Sequence, residues 1–139
     1  MGTIHLPLAE RQAALNFMLS RVDAGSGSGK LNIYSGTAPS PNAVATGTLL
    51  GTFSFSDPAF GNTDGNGTAT AGAIADVTWI ASGTAGYYRA LDSNDVVRWQ
   101  GDVGVTGSGA ELELNNTSVS SGGTGSITSF IITMPDGVS

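Results

Sequence analysis

The feature that most constrains the fold is a change in hydrophobic period that follows Gly25. Before it, apolar residues recur with the 3.6-residue period of one helix face. These residues are Leu8, Leu15, Leu19 and Val22, and the same face is widened by Ala14, Phe17 and Met18. Pro7 suits a first helical turn and Gly25 a helix end. From Lys30 to Tyr34 apolar and polar residues alternate instead, so the sequence predicts one N-terminal helix followed by β structure.

The remainder of the chain consists of short apolar or Thr-rich segments separated by turn-forming residues, which is typical of a sandwich or barrel. The predicted strands are 30–34, 49–55, 68–75, 77–81, 84–91, 96–99, 110–114, 118–119 and 126–134. Asp92 to Asp95 is rich in turn formers and predicts a hairpin. The fold class is therefore mainly β, an antiparallel sandwich with one N-terminal helix. Jelly-roll, immunoglobulin-like and closed-barrel topologies all fit this pattern.

The chain divides by composition into two parts. Residues 1–29 are predicted to form an N-terminal arm, the helix and a flexible joint of Gly and Ser, and residues 30–139 the β-sandwich domain. The first eight residues lack the basic and apolar regions of a signal peptide, so synthesis in a cytoplasm is expected.

Charge argues against two classes of partner. The net charge is −6, and the five basic residues are scattered along the chain. They are Arg11, Arg21, Lys30, Arg89 and Arg98. Phosphate-rich surfaces are bound by clustered Lys and Arg, so neither nucleic acid nor an anionic membrane is an expected partner.

The residue types needed for catalysis are sparse, and we expect the protein not to be an enzyme. His5 is the sole histidine and precedes the predicted helix, where a catalytic base would lack fixed geometry. Glu111 and Glu113 alternate with Leu112 and Leu114, so both carboxylates are expected to point into water from one strand face. No catalytic residue and no cofactor is predicted.

One segment resembles half of a calcium loop. Asn62 to Gly67 places oxygen-bearing residues at alternate positions, but the expected bidentate Glu is replaced by Ala73. The chain contains no cysteine, so a thiolate metal site is impossible. We therefore expect a tight turn here and no bound metal.

Four residues are predicted to lie at an interface. Tyr87 and Tyr88 are adjacent in a strand, so one is expected to face outward, and Tyr88 is the candidate. Trp99 is the second, and Ile4 and Leu6 in the arm have nothing local to cover them. Trp79, Trp99, Tyr87 and Tyr88 would alternatively form an aromatic platform for sugar, although strand aromatics more often pack in a core.

The order of segments resembles a group of small capsid cement or decoration proteins of tailed bacteriophages. The segments that carry the resemblance are 22–29 (VDAGSGSG), 30–39 (KLNIYSGTAP), 47–52 (GTLLGT), 56–61 (SDPAFG), 83–89 (GTAGYYR), 101–104 (GDVG), 112–118 (LELNNTS) and 129–135 (SFIITMP). They span nearly the whole chain and form a pattern of strands and turns, with no catalytic signature among them.

The resemblance implies a jelly-roll-like sandwich that forms dimers or trimers and lies on the outer surface of an icosahedral capsid. Its partners would be the major capsid protein and further copies of itself. Its function would be mechanical, bridging capsomers against the pressure of packaged DNA. The alternative is a tail or fibre accessory module that binds a host-surface glycan.

Overall fold

The computed structural model describes residues 4–60 and 68–133. The helix α1 spans Leu8–Ser20 and continues into a 3-10 turn, Arg21–Asp23. Ten strands follow among the described residues: β1 Lys30–Ser35, β2 Leu49–Ser54, β3 Thr68–Thr70, β4 Val77–Thr78, β5 Gly83–Leu91, β6 Val97–Val105, β7 Leu112–Leu114, β8 Ser118–Val119, β9 Thr124–Gly125 and β10 Ile127–Thr133. The prediction of a mainly β protein with one N-terminal helix is confirmed.

Eight of the described strands form one curled, sandwich-like sheet that is mostly antiparallel. Its order is β2-β1-β5-β6-β7-β10-β3, with β8 paired to one end of β5, and β4 and β9 form a separate small sheet. β6 and β7 pair in parallel, which differs from the all-antiparallel expectation. None of the described helices is long and apolar enough to cross a membrane.

The helix lies against the same core as the sheet. Leu15, Leu19 and Val22 are fully or almost fully buried, as their spacing predicts, in one cluster with residues of the sheet. The predicted burial of Leu8 and Phe17 is wrong, because these side chains are 38% and 70% exposed. Phe17 lies about 160° around the helix from Leu15, on the opposite side from the core.

The glycine-rich joint is a packed turn. Gly25 has a φ of +93°, a left-handed conformation that ends the helical segment. Gly29 is buried, and a Cβ there would lie 2.6 Å from the Val22 carbonyl oxygen and 2.8 Å from that of Leu91. Ser93 Oγ donates a hydrogen bond to the Ala24 carbonyl over 3.0 Å. These contacts fix where the helix meets the β5–β6 hairpin.

The predicted hairpin at Asp92 to Asp95 is confirmed. β6, however, runs to Val105, six residues beyond the predicted end at Trp99. Gly101 in this extension pairs with Tyr88, and a Cβ at Gly101 would lie 2.7 Å from the tyrosine ring and its hydroxyl. Glycine is therefore required here by close packing inside a strand.

Candidate functional site

A chain of hydrogen bonds joins three of the polar side chains where β5, β6 and β7 meet. The Trp99 indole N–H donates to the Tyr88 hydroxyl over 3.0 Å, and that hydroxyl donates to Glu111 Oε1 over 2.9 Å. The backbone N–H of Glu111 in turn donates to Asp102 Oδ1 over 3.1 Å. These contacts hold the start of β7 against β6.

The surroundings of the Tyr88 hydroxyl favour its protonated form. Burial, followed by the nearby Glu111 charge, raises the pKa of the Tyr88 hydroxyl far above its ordinary value. Burial also raises the pKa of Glu111, and the Asp102 charge adds to that, while the hydrogen bond from Tyr88 opposes it. A phenol held protonated in this way is a hydrogen-bond donor and not a base or nucleophile, so the cluster fits a structural role.

The prediction that one of the two adjacent tyrosines faces outward is wrong. Tyr87 is 1% and Tyr88 0% exposed, because both faces of β5 are covered. On one face the Tyr87 hydroxyl donates to the Thr46 carbonyl over 2.6 Å, and its ring stacks on Tyr34 at 5.1 Å. The connection between β1 and β2 thus covers the Tyr87 face. Tyr88 lies on the other face, in the core cluster, and is not available as a surface contact.

Neither glutamate of the 111–114 segment points freely into water, contrary to expectation. Glu111 is half-buried beneath Tyr88. The Glu113 carboxylate accepts hydrogen bonds from the backbone N–H groups of Gly107 and Gly109, over 3.2 and 2.9 Å. Each carboxylate fixes a neighbouring segment, and the two form no paired acid and base.

The four aromatic residues considered for a sugar platform do not form one. Trp79 is 3% exposed and packs edge-on against Phe53, and both tyrosines are buried. Trp99 is half-buried, and its ring lies 6.2 Å from that of Phe60. The platform is absent because these rings pack in and around the core.

The accessible part of Trp99 lines a shallow groove between the helix and the sheet. This groove of about 190 Å³ is mainly apolar, and Leu15, Met18 and Ile132 contribute to its walls. A second groove, of about 410 Å³, lies on the other side of Glu111 and is bordered by Glu113, Ser129 and Ile131. Trp99 is thus the one strand residue of the predicted interface set that reaches the surface.

The N-terminal arm lies at the same end of the molecule as the start of α1. Ile4 is 75% exposed, and Leu6 is half-buried. The Leu6 carbonyl accepts a hydrogen bond from Arg11 Nε over 3.2 Å, which ties the arm to the first turn of the helix. The arm therefore presents an exposed apolar side chain two residues before a position that is tied to the helix.

Sequence reasoning missed a further surface, the outward side of α1. It consists of exposed residues and is called the outer face: Ala9, Glu10, Ala13, Ala14, Phe17 and Arg21. Ala9, Ala13 and Phe17 recur at four-residue spacing, which is a helical signal in itself. The signal was hidden because apolar residues occur on both sides of this helix.

The described part of the chain does not bring together the side chains that a metal site would need. No group of three or more His, Cys, Asp or Glu side chains with metal-binding geometry occurs among residues 4–60 and 68–133. His5 is exposed. The segment Asn62 to Gly67, considered for calcium, lies outside the described residues.

Comparison with known proteins gives no assignment: no family model, curated protein or solved structure matches the chain.

Proposed function

We propose that the chain is a virion structural protein of a tailed bacteriophage, a cement or decoration protein that binds the outer face of the icosahedral head. The observation that carries the proposal is the exposure of Ile4, an apolar side chain that leaves 75% of its surface in water in the arm before the helix. Burial of such a side chain against a partner would be favourable. The order of its strand and turn segments, which resembles that of known decoration proteins, supports the same proposal.

Several polar side chains of the molecule join segments of the fold, which is consistent with a structural role. Tyr88, Glu111 and Glu113 are each engaged in a hydrogen bond that joins two segments of the chain. Asp92 is buried and held by Arg98 at the hairpin. Tyrosine hydroxyls and carboxylates serve as reactive groups in many enzymes. In this protein these groups form hydrogen bonds that stabilise the fold.

The proposed partner is the major capsid protein, contacted through the arm that contains Ile4 and Leu6. A protein that binds only the assembled shell stabilises that shell by mass action. Contacts repeated by the symmetry of the head add up, so each one can be weak. The proposed location is the outer capsid surface.

The alternative, a tail or fibre module that binds host glycan, requires a surface that stacks on sugar. Of the four aromatic residues considered for that surface, Trp99 alone is more than slightly exposed. The head location is therefore preferred.

The two functions are separated by locating the protein on the particle that encodes it. Gold-labelled antibody against the chain is applied to purified virions, with virions from a deletion strain as the control. Label distributed over the whole head is expected. Label confined to the tail or its fibres would overturn the decoration proposal in favour of the glycan-binding module.

A further inference from the structure

The outer face of α1 is unusually apolar for a solvent-exposed helix surface. Its central residues, Ala13, Ala14 and Phe17, carry no polar atoms in their side chains, and all three are exposed. Phe17 alone leaves 70% of its surface in water. A helix that is apolar on both sides is normally covered on both sides.

The two charges on the outer face lie at its opposite ends. Glu10 and Arg21 are eleven residues apart, which places them about 16 Å apart along the axis and within about 20° of each other around it. Neither forms an ion pair with any of the residues that the structure describes. The Arg21 guanidinium lies over the Phe17 ring at 5.9 Å.

We propose that the outer face pairs with the outer face of a second copy of this chain, with the two helices antiparallel. A two-fold axis midway between Glu10 and Arg21 places each glutamate opposite the arginine of the other copy. The same axis places Phe17 of one copy over the Ala13 and Ala14 backbone of the other. Small residues at these positions let the two helices approach closely.

Charge complementarity identifies the occupant as a second copy. A two-fold interface uses one patch twice, so the patch must be complementary to itself. The antiparallel arrangement satisfies this, since it forms two Glu10–Arg21 pairs at once. A parallel pair of the same faces would instead oppose glutamate to glutamate and arginine to arginine.

The contact is small, so the dimer is expected to be concentration-dependent. A helix of 13 residues is about 20 Å long, and the area it buries lies at the low end for specific interfaces. The inference stands without the proposed capsid function, because it concerns the free protein in solution.

The test is sedimentation velocity of the purified chain over a range of concentrations from micromolar to near millimolar. A monomer–dimer equilibrium is expected for the natural protein. Phe17→Ser is expected to abolish it, whereas Val44→Ser, at another exposed apolar residue (87%), is expected to leave it unchanged. A chain that stays monomeric throughout, or a dimer insensitive to Phe17→Ser, would overturn the proposal.

Charge exchange tests the pairing itself. Glu10→Arg and Arg21→Glu are each expected to weaken the dimer by roughly tenfold, since each creates two like-charge contacts. The double variant is expected to restore the natural affinity. Circular dichroism melts of each variant establish that the monomers are folded. If the double variant is weaker than both single variants, the Glu10–Arg21 pairing is wrong.

Cross-linking tests the relative direction of the two helices. Because the natural chain contains no cysteine, each variant below carries a single reactive thiol. In the antiparallel pair, the two copies of position 14 lie about 4.5 Å apart along the axis, and the two copies of position 9 about 20 Å apart. A short bismaleimide is therefore expected to link Ala14→Cys dimers and not Ala9→Cys dimers. Equal linking of both variants would indicate a parallel pair and contradict the proposal.

Discussion

Arg98 holds Asp92 through two nitrogen atoms, with Nη2 2.6 Å and Nε 3.1 Å from the same carboxylate oxygen, Oδ2. The other oxygen, Oδ1, accepts the backbone N–H groups of Asn94 and Val96, over 2.9 and 3.0 Å. The Asp92 side chain has no exposed surface. One buried carboxylate thereby fixes the β5–β6 hairpin, to which the helix joint is also attached through Ser93.

The Asp92 contact predicts a pH dependence of stability. Burial alone would raise the pKa of this carboxyl, but the hydrogen bonds from Val96, Arg98 and Asn94 and the Arg98 charge lower it below its ordinary value. A group with a lowered pKa in the folded state stabilises fully above the unfolded pKa, about 3.9, and loses that contribution as the pH falls through the folded value. Asp92→Asn should therefore melt several degrees below the natural protein at pH 7, and the gap should narrow below pH 4.

Asp95→Asn is the matched control for that measurement. Asp95 pairs with Lys30 over 2.7 Å, but the two side chains are 69% and 37% exposed. Asn tolerates the positive φ of 65° at this position. The melting temperature should change little at any pH, because exposed ion pairs contribute at most about 1 kcal/mol. Equal effects of the two substitutions on the melting temperature would show that burial of Asp92 does not contribute to stability.

Gly101→Ala is expected to destabilise the protein by about 1–3 kcal/mol, because the added methyl group would collide with the Tyr88 ring and the Glu111 carboxylate. Gly27→Ala serves as the control, since its Cβ would make an ordinary contact with Ser93 at 3.7 Å. Urea unfolding of both variants gives the free energies. The packing argument fails if the two substitutions cost the same.

Tyr88→Phe removes the hydroxyl that links Trp99 and Glu111. Two partly buried polar groups lose their partner, so the free energy of unfolding should fall by about 1–3 kcal/mol. Tyr34→Phe keeps the stacked ring and loses one hydrogen bond, from Asn32, so it should cost less. Chemical denaturation at pH 7 measures both. A neutral Tyr88→Phe would mean that this hydrogen-bond chain does not stabilise the sheet.

Local patterns in the sequence predicted most of the architecture. The single helix, its buried residues Leu15 and Leu19, and the hairpin at Asp92 all follow from periodicity or from turn-forming residues. The second half of β6 was missed because Gly101 and Gly104 resemble a turn, and their role depends on neighbours in other strands. β9 was missed because Thr124–Gly125 has neither length nor an apolar residue.

The surface was harder to predict than the core. Tyr88 was expected outside because alternation assumes that one sheet face meets water, but Tyr88 lies on the core face. The opposite face, that of Tyr87, is covered by the segment containing Thr46, 41 residues earlier in the chain. Phe17 was expected in the core because it is apolar. Apolar residues occur on both sides of α1, however, and the sequence does not show which side faces the sheet. Both errors concern contacts between distant parts of the chain, which periodicity cannot show.

The arm provides a prediction about assembly. Deletion of residues 2–6 should leave the isolated protein folded, since Ile4 lies outside the core. The truncated protein should nevertheless fail to occupy particles, or should give particles that release DNA at a lower temperature. Occupancy and heat resistance are measured on particles from a deletion strain supplied with either form. Unchanged values would exclude the arm as the anchor and direct attention to the sheet surface.

The central claim is tested most directly by the number of copies of this chain per particle, relative to the major capsid protein. Purified heads and tails are separated, and the two proteins are quantified by mass spectrometry with isotope-labelled standards. A decoration protein should occur on heads in a number comparable to that of the major capsid protein. A few copies per particle, recovered with the tails, would contradict the account.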